Sequence, residues 1–288
     1  MFKNRLRISL AQMCSTNAHA GNVDEVRSLA ARAAAESCDI LCLPEAAGLM
    51  NRDVTSARAI IVDEREDPFV SNCQEMAARH GIWIHSGSTP VRTSTDRPAN
   101  RTHLIDDTGT IVARYDKVHL FDVYLPDGVQ RLESNRYTPG ESAVVADTPW
   151  GPFGLSICYD LRFPHFYRDY AKAGARILFA PSAFTRMTGQ AHWELLLRAR
   201  AVENGAFVIA AAQTGTHDDG RQTYGHSMVV HPWGNVLLDL GEPVVSGILD
   251  LDLAEVETTR QQIPSLMNER TYRSKRVPSK SDLAQGVA

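Results

Sequence analysis

The chain has 288 residues, of which 43% are hydrophobic and 22% are charged, and its formal net charge is −4. These values are ordinary for a folded protein and exclude wholesale disorder. The mild negative charge argues against nucleic acid or an anionic membrane as a partner. The apolar run at residues 206–212 is far shorter than a transmembrane helix of roughly 20 residues. Residues 1–13 lack the apolar core of a secretory signal.

Cysteine usage indicates a reducing compartment. The five cysteines are an odd number and are scattered, at positions 14, 38, 42, 73 and 158. Such spacing suits free thiols better than a disulfide framework, so we predict a cytoplasmic protein. Cys38 and Cys42 have no second cysteine pair with which to bind zinc, and we expect no metal.

Strand and helix patterns alternate along the chain. Residues 6–13 place Leu6, Ile8 and Leu10 on one side, as a half-buried strand does. A helix follows, with Asn22 as its predicted N-cap and Glu25 three residues later. The further predicted elements are a strand at 40–43, a helix at 68–80, a strand at 82–86, hairpins of 101–105 with 110–115 and of 143–146 with 153–157, a helix at 164–173, a strand at 176–181, a helix at 190–204, a strand at 206–213, a hairpin of 227–230 with 236–240 and a strand at 247–253.

This order of elements predicts an α/β protein in which helices cover sheet. No segment has the composition of a linker or a low-complexity tract, so we predict a single domain at residues 5–264. Residues 265–288 are predicted to form a polar tail that is either loose or held by a partner subunit.

Glu45 directly follows the apolar strand at residues 40–43, in the segment LCLPE. A carboxylate at the end of a buried strand can lose part of its hydration and act as a general base. A solvated loop glutamate is the commoner situation, and this segment taken alone favours it.

Lys117 follows a hairpin strand and precedes an apolar stretch, in the segment YDKVHLFD. If the side chain points inward, its ammonium can stabilise an oxyanion and promote ionisation of a nearby thiol. A lysine taken alone is nearly always a surface residue. For His119 in the same segment, packing or a backbone hydrogen bond is the expected role.

Cys158 ends an apolar strand a few residues before a predicted helix, in GLSICYDLRFP. A sharp strand-to-helix turn exposes the residue at its apex and leaves backbone N–H groups free to bind an anion. We therefore expect a lowered pKa for the Cys158 thiol and a nucleophilic role. The alternative is a buried, inert thiol, which is the usual state of a free cysteine and the one expected for the other four.

Together these segments resemble the nitrilase superfamily of carbon–nitrogen hydrolases, in which a glutamate, a lysine and a cysteine occur in this order. The matching segments are LCLPEAAGL, YDKVHLFDV and GLSICYDLRFP, with further matches at residues 181–213 and 224–237. The resemblance covers about residues 5–270. HLFDV, RLESN, CYDLRFP and YGHSMVV are typical of the branch that contains deaminated-glutathione amidase and ω-amidase.

The resemblance implies a fold and an assembly. The family fold is an α-β-β-α sandwich, which commonly dimerises into an α-β-β-α-α-β-β-α stack. The chain is therefore expected to form a homodimer or a higher homo-oligomer. Residues 161–174 and 192–205 would lie near the interface.

The resemblance also assigns roles to individual residues. Cys158 would be the nucleophile, and Glu45 the base that takes its proton and later serves the leaving group. Lys117 would hold the oxyanion of the tetrahedral intermediate, together with the backbone N–H of Tyr159. Many members have a second glutamate that positions substrate and nucleophile, and here it falls on Glu133 in RLESN.

Arg162 follows Cys158 by four residues, at the predicted start of a helix. Its guanidinium can bind a substrate carboxylate bidentately. A structural ion pair with Asp160 or with an acidic residue of a neighbouring strand accounts for it equally well.

The implied reaction is hydrolysis of a small linear carboxamide to an acid and ammonia, through a thioester on Cys158. The expected substrate carries a carboxylate, as deaminated glutathione and 2-oxo acid ω-amides do, and no cofactor or metal is required. The segment YLPDGVQ, residues 124–130, departs from the shorter glycine-containing loop of the branch. This difference leaves the identity of the substrate open.

Other functions are compatible with the same residues. The thiol could attack a nitrile or an N-carbamoyl compound instead of an amide. A binding protein could retain the fold without turnover, although the intact glutamate, lysine and cysteine argue against this. A redox-sensing thiol is disfavoured because no resolving cysteine is adjacent to Cys158.

Overall fold

The computed structural model describes residues 2–125, 128 and 130–276, so part of the 124–130 loop and the predicted tail beyond residue 276 lie outside the described residues. The strands are β1 (Arg5–Met13), β2 (Ile40–Cys42), β3 (Trp83–His85), β4 (Thr89–Val91), β5 (Ala99–Ile105), β6 (Ile111–Asp116), β7 (Asp122–Tyr124), β8 (Gln130–Leu132), β9 (Val144–Ala146), β10 (Phe153–Leu155), β11 (Ile177–Phe179), β12 (Phe207–Ala210), β13 (Ala212–Thr216), β14 (Gln222–Tyr224), β15 (Met228–Val230), β16 (Val236–Asp239) and β17 (Val245–Asp252). The helices are α1 (His19–Ala35), α2 (Val54–Ile60), α3 (Pro68–His80), α4 (Pro164–Lys172), α5 (Arg186–Asn204) and α6 (Ala254–Gln262), with 3₁₀ turns at Glu64–Glu66, Glu133–Asn135 and Cys158–Arg162.

Two large sheets form the centre of the structure. The first is built on the parallel strands β1, β2 and β3 and is extended by β5 with β4 and β6 on one side. On its other side β17 runs antiparallel along β1, and β13 pairs with the end of β1 and with β14. The second sheet has the order β16-β15-β12-β11-β10-β9, in which β10, β11 and β12 are parallel. Strands β7 and β8 form a separate hairpin.

The alternation predicted for β1 determines how the layers stack. Leu6, Ile8 and Leu10 belong to the core between the two sheets, whereas Ala11 and Met13 pack beneath α1 and α3. Helices α4 and α5 cover the outer face of the second sheet. The predicted α-β-β-α sandwich is therefore confirmed. In the described part of the chain, no helix is both long enough and apolar enough to span a bilayer.

The apolar run at residues 206–213 is not the single strand that its composition predicts. Its first part is β12 of the second sheet, and its end begins β13, which pairs with β1 of the first sheet. The chain thus crosses from the second sheet to the first at Ala211. Ser227 stabilises this crossing, because its hydroxyl accepts the N–H of Ala212 at 2.8 Å. Gln213, just beyond it, donates from its side chain to the backbone oxygen of Glu45 at 2.9 Å. The crossing thereby connects both sheets to a candidate site residue.

The starts of two helices, α1 and α5, differ from the predictions. Helix α3 begins at Pro68, as predicted, and the side chain of Asp67 caps it by accepting the N–H groups of Phe69 and Val70. Helix α1 begins at His19, so the prediction of Asn22 as its N-cap is wrong. Asn22 is buried in the first turn, where its amide bonds to Thr16 and to the carbonyl of Gly48. A buried amide that ties two loops together looks like a cap in sequence because both roles use the same donor and acceptor.

Helix α5 is longer than predicted, and helix α2 has no counterpart among the predicted elements. Helix α5 begins at Arg186 rather than at residue 190, because the side chain of Thr185 accepts the N–H of Thr188. Helix α2 has a single buried residue, Ala57, and therefore presents no apolar stripe from which a helix could be predicted.

His85 is a fully buried histidine between the two sheets. Its ring stacks on Phe179 of the second sheet, with ring centroids 4.2 Å apart. The N–H of Gly87 donates to Nδ1 at 3.3 Å, and Nε2 lies 3.4 Å from the hydroxyl of Thr102. Both contacts suit a neutral imidazole that accepts at Nδ1 and donates at Nε2. Burial lowers the pKa of His85 from 6.5 to about 3.

This burial makes the fold sensitive to acid. Below pH 6.5 the unfolded chain takes up a proton at His85, and the folded chain does so only near pH 3, so stability falls as the pH decreases across that interval. Urea unfolding at about pH 7 and about pH 5 is expected to show a loss about 2 kcal/mol smaller for His85→Gln than for the wild type. His165→Gln, at an exposed histidine, is the matched control and should behave like the wild type. Equal losses in wild type and His85→Gln would contradict the argument.

Candidate active site

Three of the predicted site residues lie just beyond the ends of strands. Glu45 follows β2, Lys117 follows β6, and Cys158 follows β10 in the other sheet. The structure brings them together, because Lys117 Nζ lies 2.8 Å from Glu45 Oε1 and all three residues line one cavity. In open α/β sheets the carboxyl ends of parallel strands are the usual position of a ligand site.

Glu45 is buried, with 6% of its surface exposed. Its Oε1 accepts from Lys117 Nζ at 2.8 Å and from Asn100 Nδ2 at 3.1 Å, and its Oε2 accepts from the backbone N–H of Ala183 at 2.9 Å. Both carboxylate oxygens are therefore held in place by donors from three separate segments of the chain. The interpretation of Glu45 as a solvated loop residue does not describe this environment.

The loop that carries Glu45 is fixed by the segment after β3. The N–H of Ala46 donates to the hydroxyl of Ser88 at 2.8 Å. Gly87 has a positive φ of 66°, and a Cβ at this position would lie 1.9 Å from the carbonyl oxygen of Pro44. Only glycine permits this approach, so the backbone next to Glu45 is set by a residue without a side chain.

Lys117 points inward and is 2% exposed. Besides Glu45, its Nζ contacts both oxygens of Glu133, at 3.0 and 2.9 Å. Burial lowers the pKa of Lys117, but the carboxylates of Glu133 and Glu45 outweigh it, so that the pKa lies well above its ordinary value. The ammonium is therefore a permanent positive charge in the cavity.

Glu133 is presented by the hairpin of β7 and β8, at the start of the 3₁₀ turn Glu133–Asn135. Its Oε2 also accepts the backbone N–H of Phe121 at 2.6 Å. Glu133 thus joins the hairpin to Lys117, which places the ammonium between two carboxylates.

Cys158 occupies a sharp turn at the beginning of the 3₁₀ segment Cys158–Arg162. Its φ of 51° lies in the left-handed region, which a residue with a side chain rarely adopts. Burial, and next the charge of Glu45, raise the pKa of the thiol well above its ordinary value, while Lys117 lowers it only in part. The predicted lowering of this pKa is therefore wrong, because the turn is buried and stands beside an acceptor. The thiol keeps its proton at rest, next to a carboxylate that can take it.

Tyr159 places a free donor beside Cys158. Within the described ranges its backbone N–H has no acceptor, since it lies at the open beginning of the 3₁₀ turn. Its ring packs edge-on against Phe121 and Phe163, with ring centroids 5.1 and 5.5 Å away. The N–H is therefore held rigidly and is available to an anion.

Asp160 is a buried carboxylate to which the sequence analysis assigned no catalytic or positioning role. It accepts the N–H of Ile157 at 2.8 Å and the hydroxyl of Tyr115 at 2.6 Å. On the other side it bonds to the N–H of His119 at 3.0 Å and to its Nδ1 at 2.7 Å. Asp160 therefore ties the turn of Cys158 to the segment that carries Lys117, and its position two residues after Cys158 is the only sequence signal of this role.

The cavity has a volume of about 610 Å³. Arg162 is not among its lining residues in the described part of the chain. The Arg162 guanidinium bonds to His192 at 3.2 Å and lies over the rings of Phe184 and Tyr159. The ion pair with Asp160 that the sequence left open is not formed in the described structure.

The described residues contain no group of three or more His, Cys, Asp or Glu side chains that could hold a metal ion. Lys117 occupies the space between the two glutamates of the cavity. The charge that a cation would supply there is already provided by the ammonium.

The chain belongs to the carbon–nitrogen hydrolase family, which it matches over residues 7–261. It is 38% identical over 281 residues to deaminated glutathione amidase of Yersinia enterocolitica, a match covering 96% of this chain and 97% of that protein. The structure of the C. elegans NitFhit protein is similar, with a TM-score of 0.86 and 39% identity. That match covers 94% of this chain and 66% of the NitFhit chain, so the chain spans about two thirds of that relative.

An amidase from Nesterenkonia sp. AN1 adds chemical information. The structure of its glutamate-to-glutamine mutant shows the acetamide moiety of fluoroacetamide covalently added at the active-site cysteine. It matches with a TM-score of 0.76 and 26% identity, covering 98% of this chain and 97% of that chain. These comparisons confirm the predicted family and identify the chain as an amidase that hydrolyses a small-molecule amide.

Proposed function

We propose that the chain hydrolyses a linear amide that bears a carboxylate, of the kind represented by deaminated glutathione, with Cys158 as the nucleophile. The observation that carries this proposal is the buried contact of Lys117 with Glu45 and Glu133 in the cavity that Cys158 also lines. The Yersinia relative named deaminated glutathione amidase supports the substrate class.

In the first half-reaction the sulfur of Cys158 attacks the amide carbon while its proton passes to Glu45. The carbonyl oxygen becomes an oxyanion, which the N–H of Tyr159 and the ammonium of Lys117 stabilise. One N–H of the Lys117 ammonium donates to Glu45. A second N–H can serve both oxygens of Glu133, because these belong to one carboxylate, and the third N–H is then left for the oxyanion. The total charge of the cavity is unchanged by this step, because the thiol proton stays on Glu45 while the negative charge moves to oxygen.

Collapse of this intermediate breaks the C–N bond, and Glu45 gives its proton to the leaving nitrogen. A primary amide releases ammonia, and a substituted amide such as deaminated glutathione releases an amine. Glu45 then takes a proton from the water that attacks the thioester. When the C–S bond breaks, the proton returns to the sulfur of Cys158 and the acid leaves.

The proposal extends to assembly and location. Leu195 and Val202 are exposed apolar side chains one heptad apart on α5, among charged residues such as Glu194 and Arg198, and this apolar surface supports the expected homodimer. The five cysteines are all free thiols, which supports a reducing, cytoplasmic location.

The test is release of ammonia or free amine by the purified protein from a panel of compounds. The panel contains deaminated glutathione, 2-oxoglutaramate, 2-oxosuccinamate, simple aliphatic amides, N-carbamoyl compounds and a nitrile. We expect the carboxylate-bearing amides to have the highest kcat/KM. Preferred turnover of the nitrile or of an N-carbamoyl compound would assign the chain to that reaction instead. Silence across the panel, with slow alkylation of Cys158 by iodoacetamide, would favour a binding protein.

A further inference from the structure

The arginines that line the cavity are not distributed like surface charges. Two of them, Arg221 and Arg136, approach it from different loops and both contact the short segment 50–51. Arg221 lies in the turn between β13 and β14, and Arg136 follows the 3₁₀ turn that carries Glu133. Two guanidinium groups that meet on one neutral segment repel each other unless an anion lies between them.

The Arg221 side chain is 25% exposed and forms an ion pair with Asp219. Its Nη1 contacts the sulfur of Met50 at 3.0 Å, and its Nη2 lies 3.3 Å from Asp219. Burial lowers the pKa of Arg221, and the positive charges of Arg52 and Arg136 lower it further, against the opposing effect of Asp219. The guanidinium remains charged, since arginine keeps its proton in proteins, but its charge is incompletely balanced.

Arg136 has less compensation for its charge, since Asp53 interacts with it electrostatically but forms no ion pair with it in the described part of the chain. Its Nη2 donates to the backbone oxygen of Asn51, and its guanidinium lies 5.8 Å from the ring centre of Tyr137. Among the residues that the structure describes, no carboxylate lies within ion-pair distance of Arg136. Its backbone N–H donates to the carbonyl of Glu133 at 2.9 Å, so Arg136 lies one turn from the carboxylate that holds Lys117.

We propose that Arg221 and Arg136 form the subsite for the substrate carboxylate and so select short linear amides of dicarboxylic acids over neutral amides. The inference rests on the proposed function, because it names the part of the cavity that recognises the end of the substrate that does not react. Two forked donors facing one carboxylate can bind it bidentately and fix its orientation. Both arginines line the cavity that Lys117 and Cys158 also line, so a short substrate can reach this subsite while its carbonyl lies at Cys158.

The test compares two amides of equal chain length, glutaramate with its carboxylate and pentanamide without it. In Arg221→Gln and in Arg136→Gln, kcat/KM for glutaramate should fall about ten- to hundredfold, mainly through KM, because each loses a charged hydrogen bond. Activity on pentanamide should change by less than about twofold, which also shows that the variants fold. Arg221→Lys should lose less than Arg221→Gln, because it keeps the charge but not the fork. Arg79→Gln, which removes the same charge from the exposed face of α3, is the matched control and should resemble the wild type.

Two results would overturn the inference while leaving the proposed function intact. One is a parallel loss on glutaramate and pentanamide in both variants. The other is a loss confined to glutaramate in Arg162→Gln, with Arg221→Gln and Arg136→Gln unaffected. If the wild type hydrolyses neither these two amides nor any carboxylate-bearing amide of the panel, the proposed function fails, and calorimetry with glutarate decides the inference by itself. A loss of glutarate affinity of about tenfold or more in Arg221→Gln supports the carboxylate subsite, and equal affinity overturns it.

Discussion

Cys158→Ala is expected to lower amide turnover at least about 10⁴-fold, to near the uncatalysed rate, because no other group can form the thioester. Cys158→Ser should be almost as inactive, since a hydroxyl is much harder to ionise than a thiol. The matched control is Cys14→Ala, at a partly exposed cysteine that does not line the cavity. It should retain wild-type turnover. Substantial activity in Cys158→Ala would refute the assignment of the nucleophile.

The pH dependence of Cys158 alkylation provides a second measurement of the same thiol. Its raised pKa means that the thiolate population stays small at ordinary pH and that the proton must be removed during attack. Because Glu45 is expected to take that proton during attack, the rate with iodoacetamide should change little between about pH 7 and about pH 9, whereas a free cysteine with a pKa of about 8.5 reacts faster as it ionises. N-acetylcysteine under identical conditions supplies that comparison. A thiol of raised pKa that had to ionise without Glu45 would instead react about tenfold faster for each pH unit. A rise in Cys158 parallel to that of N-acetylcysteine would show that Glu45 does not take the proton.

The sequence predicts the layers of this protein better than their connections. Period-two alternation in residues 6–13 separates the two cores on either side of β1 correctly, because one face of that strand must pack on the other sheet. The crossing at Ala211 has no such signal. An unbroken apolar run has the same composition whether its residues stay in one sheet or pass to the other, since both sheets are buried at this point.

In the candidate site, too, some residues can be identified from the sequence and others cannot. Glu45, Lys117 and Cys158 are each ambiguous in sequence, and the resemblance to the family identifies them as a set. Asn100 and the N–H of Ala183, which hold the Glu45 carboxylate, have no local signature, because a strand residue and a backbone donor acquire their role only from tertiary contacts.

Among the arginines, the sequence suggests one that does not line the cavity and gives no indication of one that does. Arg162 draws attention because it lies close to Cys158 in sequence, yet its guanidinium packs on the rings of Tyr159 and Phe184, which line the cavity, and Arg162 itself is not among the lining residues that are described. Arg221 follows Asp219 and Gly220 in the turn between β13 and β14, far from Cys158 in sequence, and the fold brings it into the cavity lining. Proximity to Cys158 along the chain is therefore a poor guide to which arginine lines the cavity.

Glu45→Gln is expected to be the second most damaging change, with kcat reduced about 10²- to 10⁴-fold. The glutamine amide cannot accept the thiol proton, protonate the leaving nitrogen or activate water, so both half-reactions suffer. It also has one oxygen for the three donors that converge on Glu45, from Lys117, Asn100 and the N–H of Ala183. Its NH₂ group must therefore face at least one of them.

Glu133→Gln is the matched comparison, because Glu133 also contacts Lys117 but is assigned no proton transfer. It should reduce kcat less than Glu45→Gln and should leave alkylation of Cys158 by iodoacetamide near the wild-type rate. Glu45→Gln should slow that alkylation as well, because the buried thiol then lacks an acceptor for its proton. If the two variants lost kcat and alkylation rate equally, Glu45 would act by holding Lys117 in place, and another group would have to carry the proton.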